Sequence, residues 1–203
     1  VQPGNELNGI TLGGVGSGTF FQNVQVYNSS DDGIEWFGGS VNGRNLALLG
    51  NDDDSIDVDL GYKGFNQFIL AVQTASANHV LEGDSNGNEN AEPRTNFRVA
   101  NVTAVSTQTS ADEATLLMRG GADYAFFNSI ITGPGTCLDI DSPVTMQAAG
   151  TSGDEAGPPR FESVFMSCPS AFTNDGNIAT ADIQALFTAG SNNVFNGTST
   201  LSA

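Results

Sequence analysis

Short runs of alternating hydrophobic and polar residues recur along the chain, separated by turns rich in Gly, Asn, Asp and Ser. In the run that starts at Gln22 the hydrophobic positions are Val24 and Val26, and in the run that starts at Arg44 they are Leu46 and Leu48. Strict alternation of this kind is typical of a half-buried β-strand. Because no helix fits between most of these runs, the pattern predicts an all-β protein.

The runs repeat with a period of 22 residues, which shows when the segment that starts at Gln22 is shifted onto the segment that starts at Arg44. The shift aligns Asn23 with Asn45, Asp31 with Asp53, Asp32 with Asp54, Ile34 with Ile56, Glu35 with Asp57, and Trp36 with Val58. A further shift places Gln67, Phe68 and Leu70 below Asn45, Leu46 and Leu48, and residues 7–12 share the pattern of residues 31–36. Less regular copies follow at 100–105, 114–120, 127–132, 136–142 and 162–167.

A repeat of this length predicts a right-handed parallel β-helix, in which each coil adds one strand to each of two or three parallel sheets. A meander of hairpins also contains short strands, but it does not require a fixed period with matched residue types. Neighbouring coils of a β-helix lie about 4.8 Å apart, so equivalent residues stack. We expect an amide ladder at one corner, formed by Asn23, Asn45, Gln67, Asn101 and Asn128.

Two segments interrupt the repeat, and a third, near the end of the chain, has a different pattern. Residues 83–94 and 142–160 are polar and rich in Gly and Pro, which predicts long loops. Residues 179–190 predict a short amphipathic helix with Thr180 as N-cap and Gly190 as its stop, placed over the open end of the coil. The predicted organisation is one domain with coils at 7–175, this capping helix, and a tail at 191–203. Since the chain begins at Val1, we expect a C-terminal fragment of a longer protein.

The charge balance narrows the classes of partner. The chain carries 23 Asp and Glu against 6 Lys and Arg, a formal net charge of −17. This balance argues against a nucleic-acid-binding protein, which needs clustered cations, and against adhesion to anionic lipid. No apolar run is long enough for a transmembrane helix, so we expect no membrane insertion. Acidity favours calcium, which prefers carboxylate ligands; an acidic surface that only maintains solubility is the alternative.

The 22-residue register stacks acidic residues on neighbouring coils. Each unscreened pair of carboxylates at the coil spacing costs roughly 3 kcal/mol at an effective dielectric constant near 20. A bound cation, shared protons or exposure to water relieves this repulsion. We predict a calcium site from the residues Asp31, Asp32, Glu35, Asp52, Asp53, Asp54 and Asp57. The alternative is a set of turn-capping aspartates that face water.

Paired carboxylates on a β-helix also suit glycoside hydrolysis, and a lyase needs calcium together with a Lys or Arg base. For an enzyme the candidate catalytic residues are Asp31, Asp53, Asp54 and Lys63. Hydrolase motifs built on Gly-His-Gly and Arg-x-Lys are absent from the sequence, and the one histidine, His79, has no glycine neighbour. Phe37 and Tyr62 are candidates for stacking on a sugar ring, whereas Trp36 belongs to the predicted core. The sequence therefore favours a protein without catalysis.

The two cysteines, Cys137 and Cys168, predict one disulfide between neighbouring coils, with free buried thiols as the alternative. The low lysine content, the high content of Asn, Ser, Thr and Gly, and the acidity indicate an exported protein.

The stretch "NELNGITLGGVGSGT…VQVYNSSDDGIEWFGGSVN…LLGNDDDSIDVDLGYKG" (5–64), with "GTCLDID" and "LFTAGSNN" further along, resembles bacterial secreted or surface-anchored parallel β-helix repeat proteins, often lipoproteins. The resemblance covers most of the chain. It implies a pectin-lyase-like right-handed β-helix and export to the cell surface or beyond, with no settled activity. Members usually carry earlier coils than those present here.

The sequence thus predicts an extracellular structural or adhesive scaffold, stabilised by calcium, in cell-surface, matrix or filament assembly. Its expected partners are polysaccharide or neighbouring surface or filament subunits. The alternatives are a polysaccharide lyase or glycoside hydrolase, and a polysaccharide-binding module without catalysis.

Overall fold

The computed structural model describes residues 7–85, 88–110, 113–150, 154–173 and 177–201, which form two parallel β-sheets that run along one coil axis. The seven-stranded sheet A contains β1 (Ile10–Gly13), β3 (Ile34–Phe37), β5 (Ile56–Asp59), β7 (Leu81–Gly83), β9 (Ala114–Met118), β11 (Thr136–Ile140) and β13 (Ser170–Phe172). The six-stranded sheet B contains β2 (Phe21–Tyr27), β4 (Gly43–Leu49), β6 (Phe65–Val72), β8 (Asn96–Val105), β10 (Asp123–Thr132) and β12 (Arg160–Ser167).

Successive strands of the chain alternate between the two sheets, and each strand pairs in parallel with the next strand of its own sheet. This is the arrangement of a parallel β-helix, so the predicted fold class is confirmed. Among the described residues no helix is long and apolar enough to cross a membrane. The predicted end of the coils at residue 175 and the last two residues of the tail lie outside the described ranges.

The predicted 22-residue register is confirmed between β3 and β5 and between β2 and β4. Ile34 pairs with Ile56 and Trp36 with Val58 in sheet A, and Val24 pairs with Leu46 in sheet B. The next shift is wrong by one residue, because Leu46 pairs with Ile69 rather than with Phe68. One additional residue between β4 and β6 lengthens that coil, so the period is not constant along the axis.

Every strand of sheet B bends at one residue with positive φ. These residues are Asn23, Asn45, Phe68, Asn101, Asn128 and Ser163, with φ between 47° and 58°. Asparagine adopts this conformation more readily than most residues because its short side chain bonds locally. Two exposed members of this set are hydrogen-bonded to each other, because Asn45 Nδ2 donates to Asn23 Oδ1 at 2.9 Å. The asparagine positions of the expected ladder therefore share a corner, but Gln67 does not belong to it and Phe68 takes its place.

The core between the sheets is aromatic at both ends. Trp36 and Tyr62 are fully buried and stack with ring centroids 5.4 Å apart. At the other end, Phe187 of α1 (Thr180–Ala189) lies 5.2 Å from Phe161 and 5.8 Å from Phe172, measured between ring centroids. The helix thus covers the last coil, as expected, although its N-cap is Ala179 rather than Thr180.

The edge of sheet B at the same end is covered by the tail. Val194 forms a parallel bridge with Phe165 of β12, and Met166 N donates to Val194 O at 2.7 Å. Because the helix and the tail together close the last coil, the strand edges there are not open to pairing with another chain.

The predicted disulfide is present and joins Cys137 of β11 to Cys168, just after β12, on neighbouring coils. The bond closes a loop with a sequence separation of 31 residues. A loop of this length restricts the unfolded chain and corresponds to about 4 kcal/mol of stability.

We therefore expect the double variant Cys137→Ser with Cys168→Ser to lose about 4 kcal/mol of unfolding free energy, measured by urea titration. Addition of a reductant should shift the wild-type protein towards the variant and leave the variant unchanged. Equal stability of the wild-type protein and the variant would show that the bond does not constrain the unfolded state.

Candidate functional site

Acidic side chains form in-register rows on sheet A. Glu35 pairs with Asp57, and Asp57 pairs with Glu82, so three carboxyl groups follow one another on successive coils. The chain reaches these strands through turns in which Asp54 precedes β5 and His79 precedes β7. The acidic corner, as we name it, comprises Asp31, Asp32, Glu35, Asp53, Asp54, Asp57, His79 and Glu82.

Main-chain hydrogen bonds hold the turns of the acidic corner one above another. Asp54 N donates to Asp32 Oδ1 at 3.1 Å, and His79 N donates to Asp54 Oδ1 at 2.6 Å. Gly33 allows this close stacking, because a Cβ at that position would lie 2.6 Å from Ser55 O. Asp32 and Asp54 therefore each accept an N–H group from the next coil. The pairs Asp32-Gly33 and Asp54-Ser55 come directly before β3 and β5, which places the two aspartates at equivalent positions of successive turns.

Three groups within the acidic corner have the spacing of a metal site. One ligand atom from each member lies within 4.8 Å of the others in each group, and the groups are Asp31–Asp32–Asp53, Asp32–Glu35–Asp57 and Asp54–His79–Glu82. Asp32 belongs to two of them and is 7 % exposed. The all-carboxylate donor set of the first two groups fits a hard cation such as calcium.

Burial raises the pKa values of the acids in this corner. Burial, with the nearby charges of Glu35, Asp31 and Asp53, raises the pKa of Asp32 to about 7, although the hydrogen bond from Asp54 N opposes the rise.

Burial, together with the charges of Asp32, Glu82 and Glu35, raises the pKa of Asp57 to about 9. The pKa values of Glu35 and Asp54 are also raised, first by burial. Asp57 Oδ1 is buried with no hydrogen-bond donor among the described residues. The corner therefore favours either bound protons or a bound cation.

One ring nitrogen of His79, the histidine of the third group, is held by a main-chain hydrogen bond. His79 Nδ1 lies 2.7 Å from Ala114 O, and since a carbonyl only accepts, Nδ1 carries the proton. Its Nε2 lies 3.4 Å from Glu113 Oε2 and 3.9 Å from Glu82 Oε2. A histidine fixed through Nδ1 in this way presents Nε2 to carboxylates or to a metal.

Lys63 and Arg119 are both held in ion pairs with acidic side chains. Lys63 follows β5, whereas Asp53 and Asp54 precede it, and Lys63 Nζ pairs with Asp154. Arg119 pairs with Glu82 and, through Nε, with Asp84 Oδ2 at 3.1 Å. The geometry separates Lys63 from the aspartates with which it was grouped as a catalytic set.

The remaining residues proposed from the sequence differ in exposure. Asp52 is exposed and belongs to none of the three groups with metal-site spacing. Phe37 is half-buried beside Asp59, with which it pairs in register. The expectation for Tyr62 is wrong: its ring is wholly buried against Trp36, and its hydroxyl donates to Val41 O at 2.7 Å, so it cannot stack on a sugar.

Sequence comparison places these features in a known family. The family described as "Pectate-lyase like beta helix domain" matches residues 1–200. No curated protein and no solved structure matches the chain. Because the match covers nearly all of the sequence and agrees with the two parallel sheets, the chain belongs to the pectate-lyase-like β-helix domain family.

Proposed function

We propose that the protein is a non-catalytic extracellular scaffold whose acidic corner binds calcium. The observation that carries this proposal is the group Asp31–Asp32–Asp53, in which oxygens from two successive coils lie within 4.8 Å of one another. Three carboxylates this close repel one another unless a cation or protons intervene. An ion at this position would tie the two coils together and lower the cost of burying Asp32.

The extracellular assignment rests on three features together. A disulfide is compatible with an oxidising compartment, the chain has a net charge of −17, and repeated coils form an extended surface. We place the scaffold at the cell surface or in a matrix, where calcium is abundant enough for a moderate site. Polysaccharide or neighbouring subunits of a surface layer or filament are its partners in this proposal.

The environments of Arg119 and Lys63 support a scaffold over a lyase. Burial lowers the pKa of Arg119, but the charges of Glu82 and Asp84 outweigh it and raise the pKa above its usual range. A base that removes a proton from a sugar needs the opposite shift. Lys63 is engaged by Asp154. Arg119 is therefore unsuited to act as the base, and the amino group of Lys63 is held in its ion pair.

Calorimetric titration of calcium into chelator-treated protein tests the ion site. We expect saturable binding to the wild-type protein and at least about tenfold weaker binding to Asp32→Asn, which corresponds to about 1.4 kcal/mol. Asp182→Asn, which changes an acid of α1 far from the corner, is the control and should bind as the wild-type protein does. Absence of calcium binding, or equal binding by Asp32→Asn, would refute the site.

A polysaccharide lyase or glycoside hydrolase is the second candidate, and a cleft that contains Arg119, the ion-pair partner of Glu82, favours it. This cleft of about 480 Å³ is lined by Asp84, Asn88, Glu89, Asn90, Arg119, Gly120 and Ser142. A lyase releases unsaturated sugar ends, which absorb ultraviolet light, and a hydrolase releases reducing ends. If polygalacturonate yields either product with the wild-type protein and Asp53→Asn abolishes the release, the enzyme replaces the scaffold.

A further inference from the structure

One of the three groups with metal-site spacing contains an imidazole as well as carboxylates. It consists of Asp54, His79 and Glu82, and one ligand atom from each lies within 4.8 Å of the others. The group shares no residue with the three aspartates on which the proposed calcium site rests. Calcium takes oxygen ligands, whereas an imidazole nitrogen suits zinc and other transition metals. The donor set therefore differs in class from that of the calcium site.

The side chain of His79 is buried, and its ring is held in one tautomer. The residue is 4 % exposed, and Nδ1 donates its proton to Ala114 O at 2.7 Å. Because a neutral imidazole has one proton, Nε2 carries a lone pair. Carboxylate oxygens lie opposite this lone pair, Glu113 Oε2 at 3.4 Å and Glu82 Oε2 at 3.9 Å. Ionised carboxylates only accept hydrogen bonds, so neither satisfies Nε2.

A lone pair that faces two carboxylates in a buried position requires a cation between them. The cation is either a second proton on the ring or a metal ion. The two acids of the group are oriented in a way that favours the metal ion, as their hydrogen bonds show.

Each of these acids has one oxygen engaged by the protein. Asp54, which is 3 % exposed, accepts the main-chain N–H of His79 through Oδ1 at 2.6 Å. Glu82 Oε1 pairs with Arg119, while Glu82 Oε2 lies on the side of His79. Contacts of this kind orient a metal ligand and leave its other oxygen for the ion. The two carboxylates are therefore fixed before an ion binds.

The distances around Nε2 fit a tetrahedral ion. Zinc binds imidazole nitrogen and carboxylate oxygen at about 2.0–2.2 Å, so two of its ligands in a tetrahedral site lie roughly 3.4 Å apart. The separations of 3.4 Å from Glu113 and 3.9 Å from Glu82 need little closure to reach this value. Glu113, whose side chain is 37 % exposed, supplies a fourth ligand on the side that solvent reaches.

We propose that Asp54, His79, Glu82 and Glu113 bind a divalent transition metal ion, with zinc as the preferred ion. The ligands come from three successive coils, because Asp54 precedes β5, His79 and Glu82 belong to the coil of β7, and Glu113 precedes β9. Four protein ligands fill a tetrahedral shell, so the role of the ion is structural. It clamps β7, a strand of three residues, between its two neighbours.

The single histidine of the chain makes the test specific, because nitrogen-15 NMR of the imidazole reports on His79 alone. Zinc chloride is titrated into protein that has been treated with a chelator and dialysed. Excess calcium is present throughout, so that sites made of oxygen ligands alone are occupied. We expect zinc to shift the signal of Nε2 while Nδ1 keeps its proton, and calcium without zinc should not produce this shift.

Isothermal titration under the same conditions gives the zinc affinity of each variant. Loss of a ligand should weaken binding at least about tenfold, since loss of a group that only orients a ligand already costs about 10–100-fold. We expect this result for His79→Gln, Glu82→Gln and Glu113→Gln. The last variant changes a partly exposed side chain, so it tests the site even if the buried variants do not fold. Asp182→Asn, which changes an acid of α1, is the control and should bind zinc as the wild-type protein does.

Three outcomes would overturn the proposal. Zinc binding that leaves the ring signals of His79 unchanged would assign the ion to other carboxylates. Zinc affinity of Glu113→Gln equal to that of Asp182→Asn would show that the fourth ligand does not take part. A ring that carries protons on both nitrogens and does not respond to zinc would show that an imidazolium balances the carboxylates by itself. None of these readouts depends on the calcium site, so the two sites can fail separately.

Discussion

In the presence of a calcium chelator, the melting temperature of the protein is expected to fall by about 10 °C between about pH 5 and about pH 8. The cause is the raised pKa of the buried acids, about 7 for Asp32 and about 9 for Asp57 in the folded protein against 3.8 as the ordinary value. Between about pH 5 and about pH 8 the folded chain binds more protons than the unfolded chain, so the free energy of unfolding decreases as the pH rises.

The size of the effect follows from the pH interval. Each pH unit over which one more proton is bound by the folded state changes the stability by about 1.4 kcal/mol. Between about pH 5 and about pH 8 the extra proton of Asp32 counts over about two pH units and that of Asp57 over about three, which gives roughly 7 kcal/mol as an upper bound for independent groups. Because the two groups share charges, we take about 4 kcal/mol for both together. For a chain of this length, 1 kcal/mol moves the melting temperature by about 2–4 °C.

Calcium should remove most of this pH dependence, because a bound cation stabilises the ionised carboxylates and replaces the protons. Melting curves at both pH values, with calcium and with chelator, provide the measurement. Asp57→Asn puts a neutral group of nearly the same volume where folding otherwise requires a proton to be taken up, so in chelator it should melt higher than the wild-type protein at about pH 8 and show a shallower slope. Asp52→Asn is the matched control, since Asp52 is exposed at the same corner.

Three results would contradict parts of this account of the acidic corner. A melting temperature in chelator that rises with pH would mean that the buried acids are stabilised in their ionised form by the protein itself. An unchanged pH slope in Asp57→Asn would mean that this residue does not bind the extra proton. A pH slope that calcium leaves unaltered would support shared protons and reject the ion site.

The coil register was predictable from the sequence where turn lengths are constant. Ile34 and Ile56 have equivalent neighbours in sequence, and they pair as expected. The register shifts where a turn gains one residue, so that Leu46 meets Ile69. A longer connection also hides Glu82, which continues the row of Glu35 and Asp57 only because residues 60–80 lengthen that coil. Alternation within strands is encoded locally, whereas the length of a connection is not.

Residues outside the strands were predicted less well, for a physical reason. The direction of a side chain within a strand follows a period of two, but Tyr62 lies in the turn between β5 and β6, where no such period applies, and its ring turns inward. The contact of the Arg98 guanidinium with the Phe65 ring was also missed, because the two residues are distant in sequence and meet only through strand pairing. The disulfide was predictable since the chain has two cysteines.

The two long loops meet in a buried ion pair that no sequence pattern indicated. Arg94 ends the first loop and is 1 % exposed. Its Nη2 lies 3.8 Å from Glu155 Oε2 of the second loop, and both side chains are 1 % exposed. Arg94 N also donates to Asp154 Oδ2 at 2.9 Å, and Arg94 Nη1 donates to Gly121 O. This contact joins loops from different coils along one side of the β-helix.

Arg94→Ala is therefore expected to lose about 4 kcal/mol of unfolding free energy, because it leaves the Glu155 carboxylate buried without its partner. Urea unfolding gives the value, provided that the slope with denaturant concentration stays the same. Arg119→Ala is the matched control: Arg119 is 44 % exposed in its ion pairs with Glu82 and Asp84, and its loss should cost less than about 1 kcal/mol.

A second substitution separates the buried charge from lost packing. Glu155→Gln in the Arg94→Ala background removes the unpaired charge, so the double variant should recover a large part of the lost stability, whereas Glu155→Gln alone should be destabilising. If the double variant is no more stable than Arg94→Ala, the cost arises from lost packing and from the broken bond to Gly121 O. In that case the loops are joined by shape rather than by charge, and the ion pair contributes little to closing this side of the coil.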